Sequence, residues 1–272
     1  MSLKLTTNEN SPFYQKFFLN KIKDKMYLSS VIFIIISFIA SAQTDTSKIE
    51  IPDWALPGSP SHQQVPPPKD FHRETRTENM KIGIFDGVSD VGGALVPGSS
   101  FYDKSADEYT IISAGYNIWY TRDEFRYLWK KMSGDVSLSA DVKFPDTTGY
   151  GDRKVVLIIR QTLEDDSKEI MVALHGAGLM HMAWRPEKGE ELQEMRIEED
   201  SATRLGIEKD GNDFTAFIKM PGETMHNSGE TVQLQFDEPF YVGIGFTSHL
   251  PATVDTGIFS NVVLENKTGG VQ

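Results

Sequence analysis

The sequence predicts an all-β fold in which two antiparallel sheets pack as a sandwich, and three observations lead there. Apolar residues recur at every second position in many short runs, which marks strands with one buried face. Turn formers punctuate those runs at close intervals. Roughly ten closely spaced strands cannot all bury an apolar face within one layer, so a second sheet is required.

Along the chain, the first element is a leader. Lys21, Lys23 and Lys25 precede the apolar run Val31 to Ile39, which exits through Ala40-Ser41-Ala42. A basic start, a short apolar centre and a small-residue exit predict a secretory signal peptide over residues 1–42, cleaved between Ala42 and Gln43, with Met26 as a second candidate for the start. The run falls short of the roughly 20 apolar residues that span a bilayer and is broken by Ser37, which leaves a retained N-terminal anchor as the alternative. The mature domain is therefore expected to be secreted or periplasmic and not membrane-inserted. Residues 43–70 hold Pro52, Pro57, Pro60 and the triplet Pro66-Pro67-Pro68 without an apolar repeat, and read as a semi-stiff spacer in which Trp54 and Leu56 either dock on the domain or stay in a tail. The folded domain is expected over 71–266, with a short tail at 267–272.

Within the domain, Val136, Leu138, Ala140, Val142 and Phe144 alternate with polar partners, and Phe240, Val242, Ile244 and Phe246 do the same. Similar runs cover Tyr109 to Ser113, Lys154 to Arg160, Ile170 to His175, Leu179 to Trp184, Arg204 to Glu208, Phe214 to Met220, Val232 to Phe236 and Ile258 to Leu264. Turns are expected at Gly134-Asp135, Thr148-Gly149, Asp165-Asp166-Ser167, Gly176-Ala177-Gly178, Asp210-Gly211-Asn212 and Asn227-Ser228-Gly229. Phe125 to Met132 fits a helical stripe or a strand, and its neighbourhood favours the strand.

Residues out of phase with the apolar partners line the opposite face of a sheet. That set contains Arg160, His175, Arg204 and Glu208, joined by Trp184 as a stacking surface; Arg, His, Glu and Trp on one face suit a sugar ring and its hydroxyls. Gly115 to Phe125 crowds Trp119 and Tyr120 against Arg122, Asp123 and Glu124, a mixture costly to bury and unnecessary on an inert surface, and reads as the rim of a recognition groove. The candidate binding residues are Trp119, Tyr120, Arg122, Asp123, Arg160, His175, Trp184, Glu208 and His249. Each has a plainer reading: Arg160 and Glu208 as a cross-strand pair, His175 as a strand-end hydrogen bonder, Trp184 as packing, residues 122–124 as a solvated loop.

The chain has no Cys, which excludes disulfides, thiol catalysis and thiolate metal sites. A formal net charge of −12 repels phosphate backbones and anionic bilayers, so nucleic acid is not an expected partner. Gly-x-Ser-x-Gly, phosphate-loop, His-Glu-x-x-His and dinucleotide patterns are absent. His175 and His181 are read on opposite phases without a third ligand, so no metal is expected; Asp165-Asp166-Ser167 and Asp210 to Asp213 could at most hold calcium. No cofactor is expected. Glycoside hydrolysis needs two carboxyl groups flanking a sugar, for which Asp123, Glu124 and Glu208 are candidates by type; an enzyme would draw on Glu208, Asp123 and His175.

Ile84-Phe85-Asp86-Gly87, Asp90-Val91-Gly92, Gly115 to Phe125, Gly134-Asp135-Val136, Asp152-Arg153-Lys154, Ile159-Arg160, His175-Gly176, Phe240-Tyr241-Val242-Gly243 and Phe259-Ser260-Asn261-Val262 together resemble secreted bacterial concanavalin A-like (laminin-G-like) sandwich domains. The resemblance is to a group often labelled TolB-like, and at greater distance to the 3-keto-disaccharide hydrolase family. It implies a two-sheet antiparallel jelly roll whose concave sheet faces a glycan, with Arg160 pointing into the groove. Three functions follow as expectations: an exported carbohydrate-binding sandwich, a glycan-active hydrolase or lyase on the same fold, or an envelope domain with a protein partner.

Overall fold

The computed structural model describes residues 50–62 and 65–271. The expected signal peptide lies outside the described residues. Strands run in order as β1 (Arg76–Glu78), β2 (Gly87–Val91), β3 (Ser99–Asp103), β4 (Glu108–Ser113), β5 (Ile118–Trp119), β6 (Arg122–Asp123), β7 (Phe125–Met132), β8 (Val136–Lys143) and β9 (Lys154–Arg160). They continue as β10 (Glu169–His175), β11 (Met180–Arg185), β12 (Gln193–Ile197), β13 (Arg204–Asp210), β14 (Asp213–Lys219), β15 (His226–Gln233), β16 (Phe240–Thr247) and β17 (Asp255–Glu265). One sheet has eight strands in the order β1-β2-β7-β16-β9-β10-β11-β12, the other seven in the order β15-β14-β13-β8-β17-β4-β3, and β5 and β6 pair as a separate hairpin.

Period-two alternation builds the core between the sheets. Val155, Leu157 and Ile159 of β9, Ile170, Val172 and Leu174 of β10, and Val242, Ile244 and Phe246 of β16 meet Leu138 and Ala140 of β8, Leu205 and Ile207 of β13, and Phe259 of β17. Each such fully buried side chain contributes roughly 1.5–3 kcal/mol. The stretch Phe125 to Met132, open between helix and strand, is strand β7. Asn227-Ser228-Gly229, expected as a turn, instead lies within β15, where the register with β14 shifts between Thr215 and Phe217. A bulge absorbs the turn formers there, since it accepts a glycine that a regular ladder would disfavour.

The two sheets differ on their far faces. The far face of the seven-stranded sheet is partly solvated, β14 alternating exposed or half-buried with buried residues. By contrast β9 and β10 are buried at every residue. Val156, Ile158, Met171, Ala173 and Ala183 form a second apolar cluster on the far side of the eight-stranded sheet with Phe125, Tyr127 and Ile118 of the hairpin. Gly245 makes room for this layer, because a side chain there would meet the Phe125 ring at 2.7 Å. The segment read as a spacer joins the cover: Trp54 is 9% exposed and packs edge-on against Phe71 and Tyr116 at 5.0 and 4.9 Å, while Leu56 is exposed. The compact unit accordingly begins at Ile51.

Candidate functional site

Strand β9 carries its two far-face cations at opposite ends, Lys154 and Arg160, about 20 Å apart at ~3.3 Å per residue. Two different polar clusters grow from them.

At the Arg160 end the register sets Arg160, Glu169 and Arg185 side by side on β9, β10 and β11. Asp123 of the hairpin closes the row from above, its Oδ2 accepting from Arg160 Nη1 at 2.7 Å and its Oδ1 from Arg185 Nη2 at 2.8 Å. Glu169 pairs with Arg160 and lies 3.3 Å from Arg185 Nη1. All four side chains are sealed from solvent. Next to them Arg122 reaches Asp165 at 3.3 Å and Glu124 at 3.2 Å, with its guanidinium 4.7 Å from the Phe71 ring centroid. Asp165 also accepts from His72 at 2.8 Å, and Asp210 and Asp213 pair across the β13–β14 turn. Among the described residues no group of three or more His, Asp or Glu is set to hold a metal.

The expectation of one shared groove is therefore corrected in several places. Arg122, Asp123 and Glu124 are not a solvated rim: they are buried ion partners that hold the hairpin to the sheet. Arg160 does face the far side, but its charge is consumed by Asp123 and Glu169. Glu208 lies on β13 of the other sheet, opposite Ser137 and Thr215, and accepts from the Gly269 amide at 2.7 Å, so it is neither beside Arg160 nor its partner. Arg204 shares that sheet and pairs with Asp141 at 2.9 Å. Trp184 is in phase with Met180 and Met182 and packs toward the core between the sheets.

The Lys154 end gathers the other candidates. His175 stands directly opposite Lys154, and because Ala173 pairs with His181, both histidines share the far face; the opposite phases read from the sequence ignored the register across the turn. His175 Nε2 and His181 Nε2 lie 3.4 Å apart. Each ring turns its other nitrogen to a carboxylate: His181 Nδ1 to Glu194 Oε2 at 2.7 Å, and His175 Nδ1 to Asp152 Oδ1 at 3.6 Å, an ion-pair distance. The half-buried Trp119 indole lies nearly parallel to the His181 ring at 6.3 Å between centroids, with Tyr120 at 5.9 Å on its edge and the Lys154 ammonium 5.9 Å from its centroid. His249 stacks on Tyr150 at 5.1 Å, and its Nε2 lies 2.8 Å from His62 Nε2 of the N-terminal segment. Tyr120 and His249 hold φ of 49° and 63°. Such left-handed conformations cost a non-glycine residue roughly 1–3 kcal/mol, and they cluster at functional sites.

Electrostatics sets the protonation states. Burial, aided by the Lys154 charge, pulls His175 and His249 down to about 3, and burial also lowers His181. Lys154 is lowered to about 8 by desolvation, against the raising pull of Asp152, Glu194 and Asp123. Asp152 is held at about 2, chiefly by its contact with His175. Neutral imidazoles, a buried ammonium and two partly exposed carboxylates therefore meet beside a half-buried indole. Sequence reasoning missed Lys154, Asp152, Glu194, Tyr150 and His62. Lys154 was readable by the rule that found Arg160, since it lies on the same phase of the same strand.

No family model matches the chain, and no curated protein matches its sequence. The resemblance to TolB-like proteins and to 3-keto-disaccharide hydrolases thus gains no support beyond the sandwich. Among solved structures, a functionally unknown protein from Saccharomyces cerevisiae aligns at TM-score 0.50 and 11% identity, covering 72% of this chain and 97% of that one. A carbohydrate-binding module, CBM66 from Bacillus subtilis, aligns at 0.43 and 14%, covering 62% and 92%. An alginate lyase from Klebsiella pneumoniae aligns at 0.42 and 12%, covering 62% and 84%. The chain is an all-β, two-sheet antiparallel jelly-roll sandwich of concanavalin A-like layout.

Proposed function

We propose that this chain is an exported carbohydrate-binding sandwich that takes a glycan on the far face of its eight-stranded sheet, at the Lys154 end. One observation carries the reading: the half-buried Trp119 indole stands beside His181, Lys154 and Tyr120, with the partly exposed carboxylates of Asp152 and Glu194 at the margin. An aromatic face for an apolar sugar ring, ringed by polar groups for its hydroxyls, is the composition that such ligands require. Trp119, Tyr120, His175 and His249 remain the binding residues of this reading, and Lys154, His181, Asp152 and Glu194 join them. Export rests on the signal-like pattern of residues 21–42. A glycan array followed by calorimetry tests it: the expected result is binding of at least one oligosaccharide, and silence across neutral and acidic glycans overturns it.

A glycan-active enzyme on the same face is the second reading, favoured by the imidazole of His175 and the carboxylate of Asp152 meeting at 3.6 Å, the kind of pair that acid–base chemistry uses, although burial keeps the proton off the ring in the free protein. Glu208 and Asp123 drop out of it, one on the other sheet and one locked between two arginines. Release of sugar from a polysaccharide that stops in His175→Ala supports it; turnover unchanged by that substitution excludes it.

A further inference from the structure

Residues 51–62 lie against the domain as a strap and belong to neither sheet. The backbone hydrogen bonds of this stretch, from Ala55 to Pro52, Leu56 to Asp53, Ser59 to Leu56 and His62 to Ser59, close within the segment itself. A sheet strand is held by its ladder, whereas this stretch is seated by side chains, above all by Trp54 and His62. The Trp54 indole packs edge-on against Phe71 and Tyr116, with the Arg122 guanidinium 5.7 Å from its centroid. The His62 ring meets His249, which is fully buried and stacked on Tyr150.

The proton positions in that second contact follow from its partners. A carbonyl only accepts, so His62 Nδ1, 3.3 Å from the Trp54 carbonyl oxygen, carries the proton. Burial lowers both imidazoles below the ordinary 6.5, so each is neutral at pH 7. His62 Nε2 is then an acceptor, and His249 Nε2–H donates to it at 2.8 Å. The strap thus sets a lone pair where the glycan reading requires a sugar hydroxyl oxygen. Because the same imidazole also holds the Trp54 carbonyl, the indole and the histidine are coupled and leave together.

The closed seat is incompletely satisfied. Tyr116 Oη and Arg122 Nη1, both buried beside Trp54, have no hydrogen-bond partner among the described residues. Polar groups buried in this way raise the energy of the docked arrangement, and lifting the indole gives water access to them. No β ladder has to break for the strap to lift.

Resting on the glycan reading above, we propose that residues 51–62 are an autoinhibitory strap: docked, they cover His249 at the margin of the glycan site, and strap docking and sugar binding compete. The apparent affinity for sugar is then the intrinsic one reduced by the fraction of molecules with the strap lifted, so a change that unseats the strap tightens binding. By linkage, bound sugar holds the strap open.

The test uses the whole protein in two arms. In the first, diethyl pyrocarbonate is applied at pH 7, where it acylates neutral imidazoles, and modification at each histidine is followed by peptide mass spectrometry. In Trp54→Ala, His249 is expected to react at least about tenfold faster than in the wild type, while His181, buried against His175 and Glu194, keeps its rate. If the substitution loosens the whole sandwich, His181 speeds up as well, and His62→Ala, which leaves the indole in place, decides by the same ratio. An unchanged His249 rate in both variants overturns the strap. In the second arm, cellotetraose, xylotetraose, mannotetraose and tetragalacturonate, with any oligosaccharide positive on the array, are titrated calorimetrically into the wild type and Trp54→Ala. A sugar that binds is expected to bind the variant roughly fivefold more tightly or better. Equal or weaker binding by a variant whose His249 is released overturns the competition and leaves the glycan reading in place. Binding of no sugar to either form overturns the glycan reading and the competition with it, whatever the modification rates show.

Discussion

Replacing Asp123 by Asn leaves the shape of the hairpin unchanged and removes one negative charge from the sealed row on β9, β10 and β11. In the native protein two arginines, Arg160 and Arg185, are balanced by two carboxylates, Asp123 and Glu169. Asp123 accepts three guanidinium hydrogen bonds of 2.7 to 2.9 Å. The amide can keep at most part of that pattern, because its NH2 group would face guanidinium donors, and it leaves one buried positive charge without compensation. Breaking a buried pair in this way costs about 3–5 kcal/mol. For a unit of this size each kcal/mol lowers Tm by roughly 2–4 °C, so a fall of about 6–20 °C is expected in a thermal melt followed by circular dichroism. Because the cluster lies at the far end of β9 from Lys154, glycan affinity of the folded variant is expected to stay within about twofold of wild type, a change below ~0.5 kcal/mol. A variant that melts with the wild type and loses its ligand would refute the reasoning and return Asp123 to the binding surface.

Stability is also expected to depend on pH through the buried histidines. His175 and His249 sit at about 3 in the folded protein against 6.5 when free, so between those values the unfolded chain binds more protons. Their effect is nil above pH 6.5, and stability falls as pH drops below it, by roughly 1 kcal/mol per histidine one unit down. Urea midpoints at pH 7.5 and 5.5 check this, and equal midpoints would contradict the neutral, buried assignment. Trp54→Ala removes the indole seated on Phe71 and Tyr116, at a cost of about 3 kcal/mol to the docked segment. Limited proteolysis between Ile51 and Phe71 should then speed up roughly a hundredfold; an unchanged digestion rate would mean that the segment is held by other contacts.

The layered fold was legible because period two is a direct imprint of half-buried strands, and β8, β9, β10, β13, β14 and β16 follow from it nearly as drawn. The same alternation correctly sent Arg160 and His175 away from the core between the sheets. What alternation cannot state is which sheet a strand joins. Glu208 and Arg160 are both out of phase with their apolar neighbours, yet β13 and β9 belong to different sheets, so the predicted face never assembled. Nor does phase say whether a far face is covered: Arg122, Asp123 and Glu124 look like a solvated run until Arg73, Arg160 and Arg185, distant in sequence, arrive as partners. Trp184 was assigned against its own phase, which it shares with Met180 and Met182. The short strands β1, β2 and β12 escaped notice because they carry little or no alternation, β1 being exposed throughout and β2 buried throughout.

The most direct test of the site compares the two indoles of the predicted groove, one on each side of the eight-stranded sheet. Calorimetric titration of an array-identified oligosaccharide into Trp119→Ala is expected to show at least a tenfold loss of affinity, about 1.4 kcal/mol or more, while Trp184→Ala and Glu208→Ala bind as the wild type does. Wild-type affinity in Trp119→Ala, with loss in either of the other two, would move the binding surface away from the Lys154 end and contradict the assignment.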